Sequence, residues 1–152
     1  MDARDIVNRL KALLLLDTGT HSIYKQAMQR IVEDDIREQL NEFCEDHGQH
    51  VTDLEEFISE VEGSVIMMSA GQVSTFVGCA NDRVSEVQTI EGTDRILETL
   101  RKNELVTNKY YEEAIEWELK PEMMNILEQN LEDEQAHLQY IEGLLTIRRK
   151  AA

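Results

Sequence analysis

Apolar residues recur every three or four positions along most of this chain, a spacing that places them on one face of an α-helix. The pattern predicts four long helices, at about 3–32, 35–62, 94–119 and 121–149. Between the second and third helices, residues 63–92 carry a blurred pattern punctuated by Ser, Gly, Thr and Asn. We expect this segment to be a long, partly helical crossover outside the other helices, and the chain is predicted to be all-α.

Residues at the predicted helix ends suit those positions. Gly63 follows the second periodic segment, where a glycine commonly ends a helix, and Pro121 stands where its fixed φ suits a first helical turn. The expected N-caps are Asp34 or Asp35 for the second helix and Thr93 or Asp94 for the third. These signals support the four segments that the periodicity predicts.

Six polar residues interrupt the apolar faces where an apolar side chain is due. They are Asp17, His47, His50, Glu104, Glu134 and His137. Glu134 and His137 lie three positions apart, so both side chains project from one side of a helix. Burying a carboxylate and an imidazole without partners is costly, and a bound metal ion is the compensation that we expect.

The polar interruptions follow an internal repeat. Tyr24 and Tyr111 are related by an offset of 87 residues (111 − 24). The same offset pairs Asp17 with Glu104, Ala27 with Ala114, Leu40 with Leu127, Asp46 with Asp133, His47 with Glu134, His50 with His137 and Leu54 with Ile141. Helical periodicity alone aligns the leucines but not the polar residues, and we therefore interpret the chain as two copies of one helical hairpin.

Composition narrows the function classes. The 152 residues fit one domain, 1–152, and they carry 15 Lys and Arg against 31 Asp and Glu, for a formal charge of −16. Nucleic acids and anionic membrane surfaces attract basic patches, so this balance argues against both as partners. It suits a protein that attracts cations. The N-terminus has no signal-peptide pattern, and the longest apolar stretch, 65–80, is too short to span a bilayer, which predicts a cytoplasmic protein.

The two cysteines point to no metal chemistry of their own. Cys44 and Cys79 lie far apart and form no CxxC pair, which excludes a rubredoxin-type iron centre and a zinc ribbon. Reduced thiols are the expectation for a cytoplasmic protein.

The polar motifs resemble those of the ferritin-like superfamily, which includes rubrerythrin-type and bacterioferritin-type di-iron bundles. The resemblance is carried by the segments Asp17-(x)6-Tyr24-x-x-Ala27 and Glu104-(x)6-Tyr111-x-x-Ala114, together with Glu134-x-x-His137. The first two are closest to small, mostly uncharacterised bacterial ferritin-like proteins. The resemblance implies an up-down-down-up four-helix bundle with a long crossover between its second and third helices.

The same resemblance implies a metal site between the helices, built from Glu or Asp residues and Glu-x-x-His motifs. The expected metal ligands are Asp17, His47, His50, Glu104, Glu134 and His137. Tyr24 and Tyr111 are expected to hydrogen-bond and orient the ligand carboxylates. The expected cofactor is iron, as one or two ions, and the implied activity is Fe(II) oxidation by oxygen or peroxide. No residue is assigned a catalytic role beyond metal binding.

Two departures from the family pattern leave alternatives open. Asp17 stands where the family has Glu, and His47 replaces the Glu that begins the motif in the first hairpin. A single metal ion, a looser pair, or zinc or manganese are all compatible with these nitrogen and oxygen ligands. A non-catalytic structural or interaction bundle is the alternative function. The sequence also leaves open whether the protein forms a homo-oligomer.

Overall fold

The computed structural model describes residues 1–63 and 86–152. The described residues form four long helices, which are α1 (Ala3–Arg30), α2 (Asp34–Glu62), α3 (Thr93–Ala114) and α4 (Pro121–Ala151). A short helical stretch, 86–89, precedes α3, and these parts of the chain contain no strand. The all-α prediction is therefore confirmed for them. Most of the predicted crossover, including the apolar stretch 65–80 and Cys79, lies outside the described residues.

The helix ends differ in detail from the predicted ones. Gly63 ends α2 with a positive φ of 64°, which glycine adopts without strain. The predicted N-caps of α2 and α3 are wrong, because Glu33 and Gly92 occupy those positions and provide no capping side chain. Thr93 instead donates a hydrogen bond from its hydroxyl to the Glu33 carboxylate, at 2.6 Å. That side chain joins the start of α3 to the start of α2 rather than capping its own helix.

The third helix ends at Ala114, short of the predicted end at 119. After it the backbone N–H of Trp117 donates to the Ala114 carbonyl at 3.1 Å, which forms a turn. Lys120 is extended (φ −60°, ψ 146°), as expected for a residue that precedes a proline. The apolar periodicity continues past the end of this helix because Trp117 still packs against the core. The Arg9 guanidinium lies 5.5 Å from the centroid of the Trp117 ring.

Two apolar clusters form the core, one toward each end of the helices. One cluster draws on α1 at 23–31, α2 at 36–44, α3 at 96–100 and α4 at 141–145. The other draws on α1 at 7–14, α2 at 54–58, α3 at 111–114 and α4 at 123–131. This distribution makes α1 antiparallel to α2 and to α3, and α4 antiparallel to α3 and to α2. Each fully buried leucine or isoleucine in these clusters contributes about 1.5–3 kcal/mol to folding.

The helix pairs that pack together are α1 with α2, α3 with α4, α1 with α3, and α2 with α4. Between the two apolar clusters each helix contributes polar residues, and these form a layer across the middle of the molecule. None of the helices in the described ranges is long and apolar enough to cross a bilayer.

Candidate metal centre

All six residues that interrupt the apolar pattern lie in this central layer. Relative exposure is 0% for Asp17, His47, Glu104 and Glu134, and 1% for His50 and His137. The layer therefore holds three carboxylates and three imidazoles shielded from solvent. Each of them comes from the helix face that also supplies the apolar clusters, so the packing of the helices determines where they meet.

The six side chains form two overlapping groups whose geometry can hold a metal ion. One group contains Asp17, His47, His50 and Glu134, and the other contains His47, Glu104, Glu134 and His137. Within each group, one potential ligand atom from every residue lies within 4.8 Å of the others. His47 and Glu134 belong to both groups. Carboxylate oxygens and imidazole nitrogens are the ligands that iron, manganese and zinc accept.

Four buried atoms of this layer are not satisfied by hydrogen bonds. Among the described residues, neither carboxylate oxygen of Glu134 has a partner, and the same holds for Nδ1 of His50 and Nδ1 of His137. Glu134 Oε1 lies 3.2 Å from His50 Nδ1 and 3.3 Å from His47 Nδ1 without hydrogen-bonding geometry. Buried polar atoms are rarely left unpaired in native proteins, and lone pairs that converge in this way suit a cation.

The outer nitrogens of two histidines are held by aspartates. Nε2 of His50 lies 3.0 Å from Asp133 Oδ2, and Nε2 of His137 lies 2.8 Å from Asp46 Oδ2. When an imidazole donates from Nε2 to a carboxylate, its neutral tautomer turns the Nδ1 lone pair inward, and metal-binding histidines are commonly held in this way. Sequence reasoning assigned no role to Asp46 and Asp133, although the internal offset aligned them.

Two tyrosines bond to carboxylates of the opposite hairpin. The Tyr24 hydroxyl donates to Glu104 Oε1, and the Tyr111 hydroxyl donates to Asp17 Oδ2 at 2.5 Å. Both rings are fully buried. Burial raises the pKa of both phenols well above the usual value, and the nearby carboxylates raise it further, so the hydroxyls stay protonated as donors.

Glu104 and Glu134 are also held by side chains that sequence reasoning did not assign. The Thr107 hydroxyl lies 3.1 Å from Glu104 Oε2. Nδ2 of Asn108 donates to the backbone carbonyls of Glu104 and Glu134, at 2.8 and 2.9 Å. Asn108 thereby ties α3 to α4 beside the metal-ligating candidates. Its spacing of four residues from Glu104, which places both on one helix face, was the available signal.

The histidines of the first hairpin favour their charged forms. Burial by itself lowers the pKa of His47, but the nearby carboxylates, with Glu134 foremost, raise it to about 10. Burial also lowers the pKa of His50, but its hydrogen bonds with carboxylates, that with Asp133 foremost, raise it to about 12.

Two of the three buried carboxylates respond in the opposite sense. Burial raises the pKa of Glu104, but hydrogen bonds from His137 and His47 outweigh it and hold that pKa well below its usual value. Burial raises the pKa of Asp17, but hydrogen bonds from His47 and His50 outweigh it and lower that pKa to about 2. Glu134 is the exception, because burial raises its pKa to about 7. Protons on the imidazoles therefore offset the carboxylate charges when no cation is bound, and metal binding has to displace them.

The chain belongs to the DUF2383 family, described as a domain of unknown function, whose model matches residues 5–117. This match includes Asp17, His47, His50 and Glu104, and it ends before Glu134 and His137. No curated protein matches the chain.

Proposed function

We propose that this protein is a ferritin-like four-helix bundle that binds transition-metal ions, with iron as the expected metal, and that it oxidises Fe(II) with oxygen or peroxide. The observation that carries the proposal is the set of buried atoms without hydrogen-bond partners in the described chain, namely both carboxylate oxygens of Glu134 and Nδ1 of His50 and His137. They converge from two hairpins on the same layer. Cations held in the two overlapping groups would satisfy all of them.

The helix arrangement supports an up-down-down-up bundle. The hairpin α1–α2 and the hairpin α3–α4 are each antiparallel, and they pack through α1 against α3 and α2 against α4. In such a bundle the two hairpins would be related by a pseudo-twofold axis, which is how di-metal carboxylate bundles gather their ligands.

The two overlapping groups suggest how the ligands are divided. Asp17 and His50 would hold one ion, Glu104 and His137 would hold another, and Glu134 would serve both positions. His47 lies between them, with Nδ1 2.9 Å from Asp17 Oδ1 and Nε2 3.2 Å from Glu104 Oε1.

Bound iron would supply the redox chemistry, since Fe(II) can pass an electron to oxygen or peroxide. The chain supplies the surroundings that this chemistry needs. Three buried carboxylates favour the more highly charged Fe(III), Tyr24 and Tyr111 orient two of them, and the apolar clusters on both sides exclude bulk water.

Metal content tests the binding proposal most directly. We expect elemental analysis of protein purified without chelators or added metal to find a transition metal bound. The double variant His50→Ala, His137→Ala should lose it and change its melting temperature. His21→Ala is a matched control, because His21 lies on α1 outside both metal-binding groups. If the double variant keeps the metal content and melting temperature of the natural protein, the central layer is not a metal site.

Stopped-flow absorbance tests the oxidation step. Mixing the metal-free protein with Fe(II) and oxygen or peroxide should produce Fe(III) absorbance within the first turnover. If Fe(II) binds fully and no Fe(III) absorbance develops with either oxidant, the protein is not a ferroxidase.

A specific observation favours a second candidate function, a non-catalytic bundle with one zinc or manganese ion. The layer has His47 where a fourth carboxylate would complete a di-iron site, and Asp17 is one methylene shorter than the corresponding Glu104. Titration with Zn(II) and Mn(II) distinguishes the two functions, because a single saturable ion per chain and no Fe(II) oxidation would identify the second.

A further inference from the structure

The contacts between α2 and α4 connect the central layer to the protein surface. Nε2 of His50 lies 3.0 Å from Asp133, and Nε2 of His137 lies 2.8 Å from Asp46. Both imidazoles are 1% exposed, whereas the side chains of Asp133 and Asp46 are 47% and 42% exposed. On this side of the molecule, carboxylates in contact with water therefore lie one hydrogen bond away from the metal-binding layer.

The contacts between α1 and α3 at the same depth are buried. Three hydrogen-bonded pairs join these two helices there, namely Tyr24 with Glu104, Tyr111 with Asp17, and Asn103 with Thr20. All six residues are at most 2% exposed. A metal ion that approached from this side would have to break buried hydrogen bonds, whose groups have no water to compensate them.

The charge of the helices differs between the same two sides. Together α2 and α4 carry 17 Asp and Glu against 4 Lys and Arg, whereas α1 and α3 carry 7 against 9. A surface dominated by one sign of charge concentrates ions of the other sign and speeds their association. Cations should therefore accumulate on the α2–α4 side, where Asp46 and Asp133 lie.

We propose that metal ions enter the central layer on the α2–α4 side, between Asp46 and Asp133. These aspartates are the carboxylates that an incoming ion meets beside the buried imidazoles. In the described part of the chain, Nδ1 of His50 and Nδ1 of His137 lack hydrogen-bond partners, so the ion passes from exposed carboxylates to unsatisfied ligand atoms. This inference rests on the proposed metal binding, and it gives the two aspartates a part in metal uptake besides holding the imidazoles.

The rate of Co(II) uptake tests the inference, since the visible absorbance of Co(II) changes when protein ligands replace water. Gln49 lies three positions after Asp46, on the same helix face. Ala136 has the same relation to Asp133, and both Gln49 and Ala136 are exposed. The double variant Gln49→Lys, Ala136→Lys should lower the second-order rate constant of association at low salt by about tenfold or more, because added positive charge repels the incoming cation.

Adding the opposite charge at the same two positions protects the test from effects on folding. Gln49→Glu, Ala136→Glu should raise the rate constant, which a poorly folded variant would not do. Raising the ionic strength should bring the rates of the two double variants together, because salt screens the added charges.

The matched control is Thr18→Lys, Leu105→Lys. Both residues are exposed, they lie on α1 and α3, and they are related by the offset of the repeat (105 − 18). Each adjoins a metal-ligating candidate in the sequence, Asp17 or Glu104, as Gln49 and Ala136 adjoin His50 and His137. The control adds the same charge on the other two helices, and it should leave the association rate constant within about threefold.

Four results would overturn the inference. If the natural protein binds no cobalt, it fails together with the proposed metal function. If cobalt binds fully and Gln49→Lys, Ala136→Lys takes it up as fast as the natural protein, the entry route is wrong and the metal function stands. The same holds if the control slows uptake as much as this variant does, or if Gln49→Glu, Ala136→Glu slows it.

Discussion

The two hairpins have the same architecture but contribute opposite charges to the central layer. The α1–α2 hairpin provides one carboxylate, Asp17, and two imidazoles, His47 and His50. The α3–α4 hairpin provides two carboxylates, Glu104 and Glu134, and one imidazole, His137. A fully symmetric repeat would place four carboxylates and two imidazoles in a buried space.

The difference gives the layer a way to balance its charges when no cation is bound. Because the pKa of His47 is about 10 and that of His50 about 12, both are protonated near neutral pH and face the carboxylates of the other hairpin. His47 lies 3.2 Å from Glu104 Oε1 and 3.3 Å from Glu134 Oε1. His47, at the position where the other hairpin has Glu134, therefore lets the hairpins pair with each other when no metal is present.

The largest effect is expected from Glu134→Gln, because the first hairpin has no carboxylate that corresponds to Glu134. Metal affinity should fall more than about 100-fold, beyond the range of about 10–100-fold typical for residues that only orient ligands. Equilibrium dialysis with elemental analysis measures it. Glu132→Gln, on the exposed face of the same helix, is the control and should bind normally. Equal affinity in the two variants would contradict the shared role of Glu134.

Alkaline pH should break the pairing between the hairpins of the metal-free protein. The folded-state pKa values of His47 and His50 lie above the usual 6.5, so their stabilisation is fully present below pH 6.5 and is lost as the pH rises toward about 10 and about 12. The free energy of unfolding should fall by up to about 1.4 kcal/mol per pH unit for each imidazole. Urea unfolding at pH 7, 8 and 9 measures this slope.

The corresponding control is His47→Gln, which cannot gain or lose a proton and should show a shallower slope. The metal-loaded protein should show the opposite trend, because metal binds the deprotonated imidazoles. A metal-free protein whose stability stays constant from pH 7 to 9 would show that these histidines are neutral.

A symmetric pair of variants tests whether the outer aspartates act alike in both halves. Asp46→Asn and Asp133→Asn each weaken the acceptor for one histidine, and we expect each to lower metal affinity about 10–100-fold. Isothermal titration with Zn(II) compares them. If only one substitution matters, the two metal positions are not both occupied.

The smallest effect concerns a pair of threonines related by the repeat. The Thr107 hydroxyl lies 3.1 Å from the Glu104 carboxylate, whereas the Thr20 hydroxyl donates to the Leu16 carbonyl at 2.8 Å. The single proton of the Thr107 hydroxyl is shared between the Glu104 carboxylate and the Glu104 backbone carbonyl, which lies at 3.0 Å. Thr107→Val should therefore lower metal affinity by a factor of only about 2–10. Thr20→Val should leave it unchanged. The same titration measures both, and equal losses would show that Thr107 has no particular effect on Glu104.

Local patterns in the sequence were sufficient to predict the helices and the layer. An apolar residue at every third or fourth position can be recognised from neighbouring residues alone. This periodicity predicted four helices and the burial of Asp17, Glu104 and His137. The predicted end of α3 was wrong because tertiary packing there competes with the local pattern. Trp117 continues the apolar periodicity, although the backbone has already turned.

The sequence by itself determined that the six polar residues on the apolar helix faces are buried, because phase on a helix is a local property. Only the tertiary structure decided which of them touch, since those contacts join residues far apart in the chain: Tyr24 and Glu104 are 80 positions apart, and Asp46 and His137 are 91 apart. It also decided which atoms were left without partners. Whether Nδ1 of His50 or the amide of Asn130 finds a hydrogen bond depends on the packing of helices against one another, which no pattern within a single helix contains.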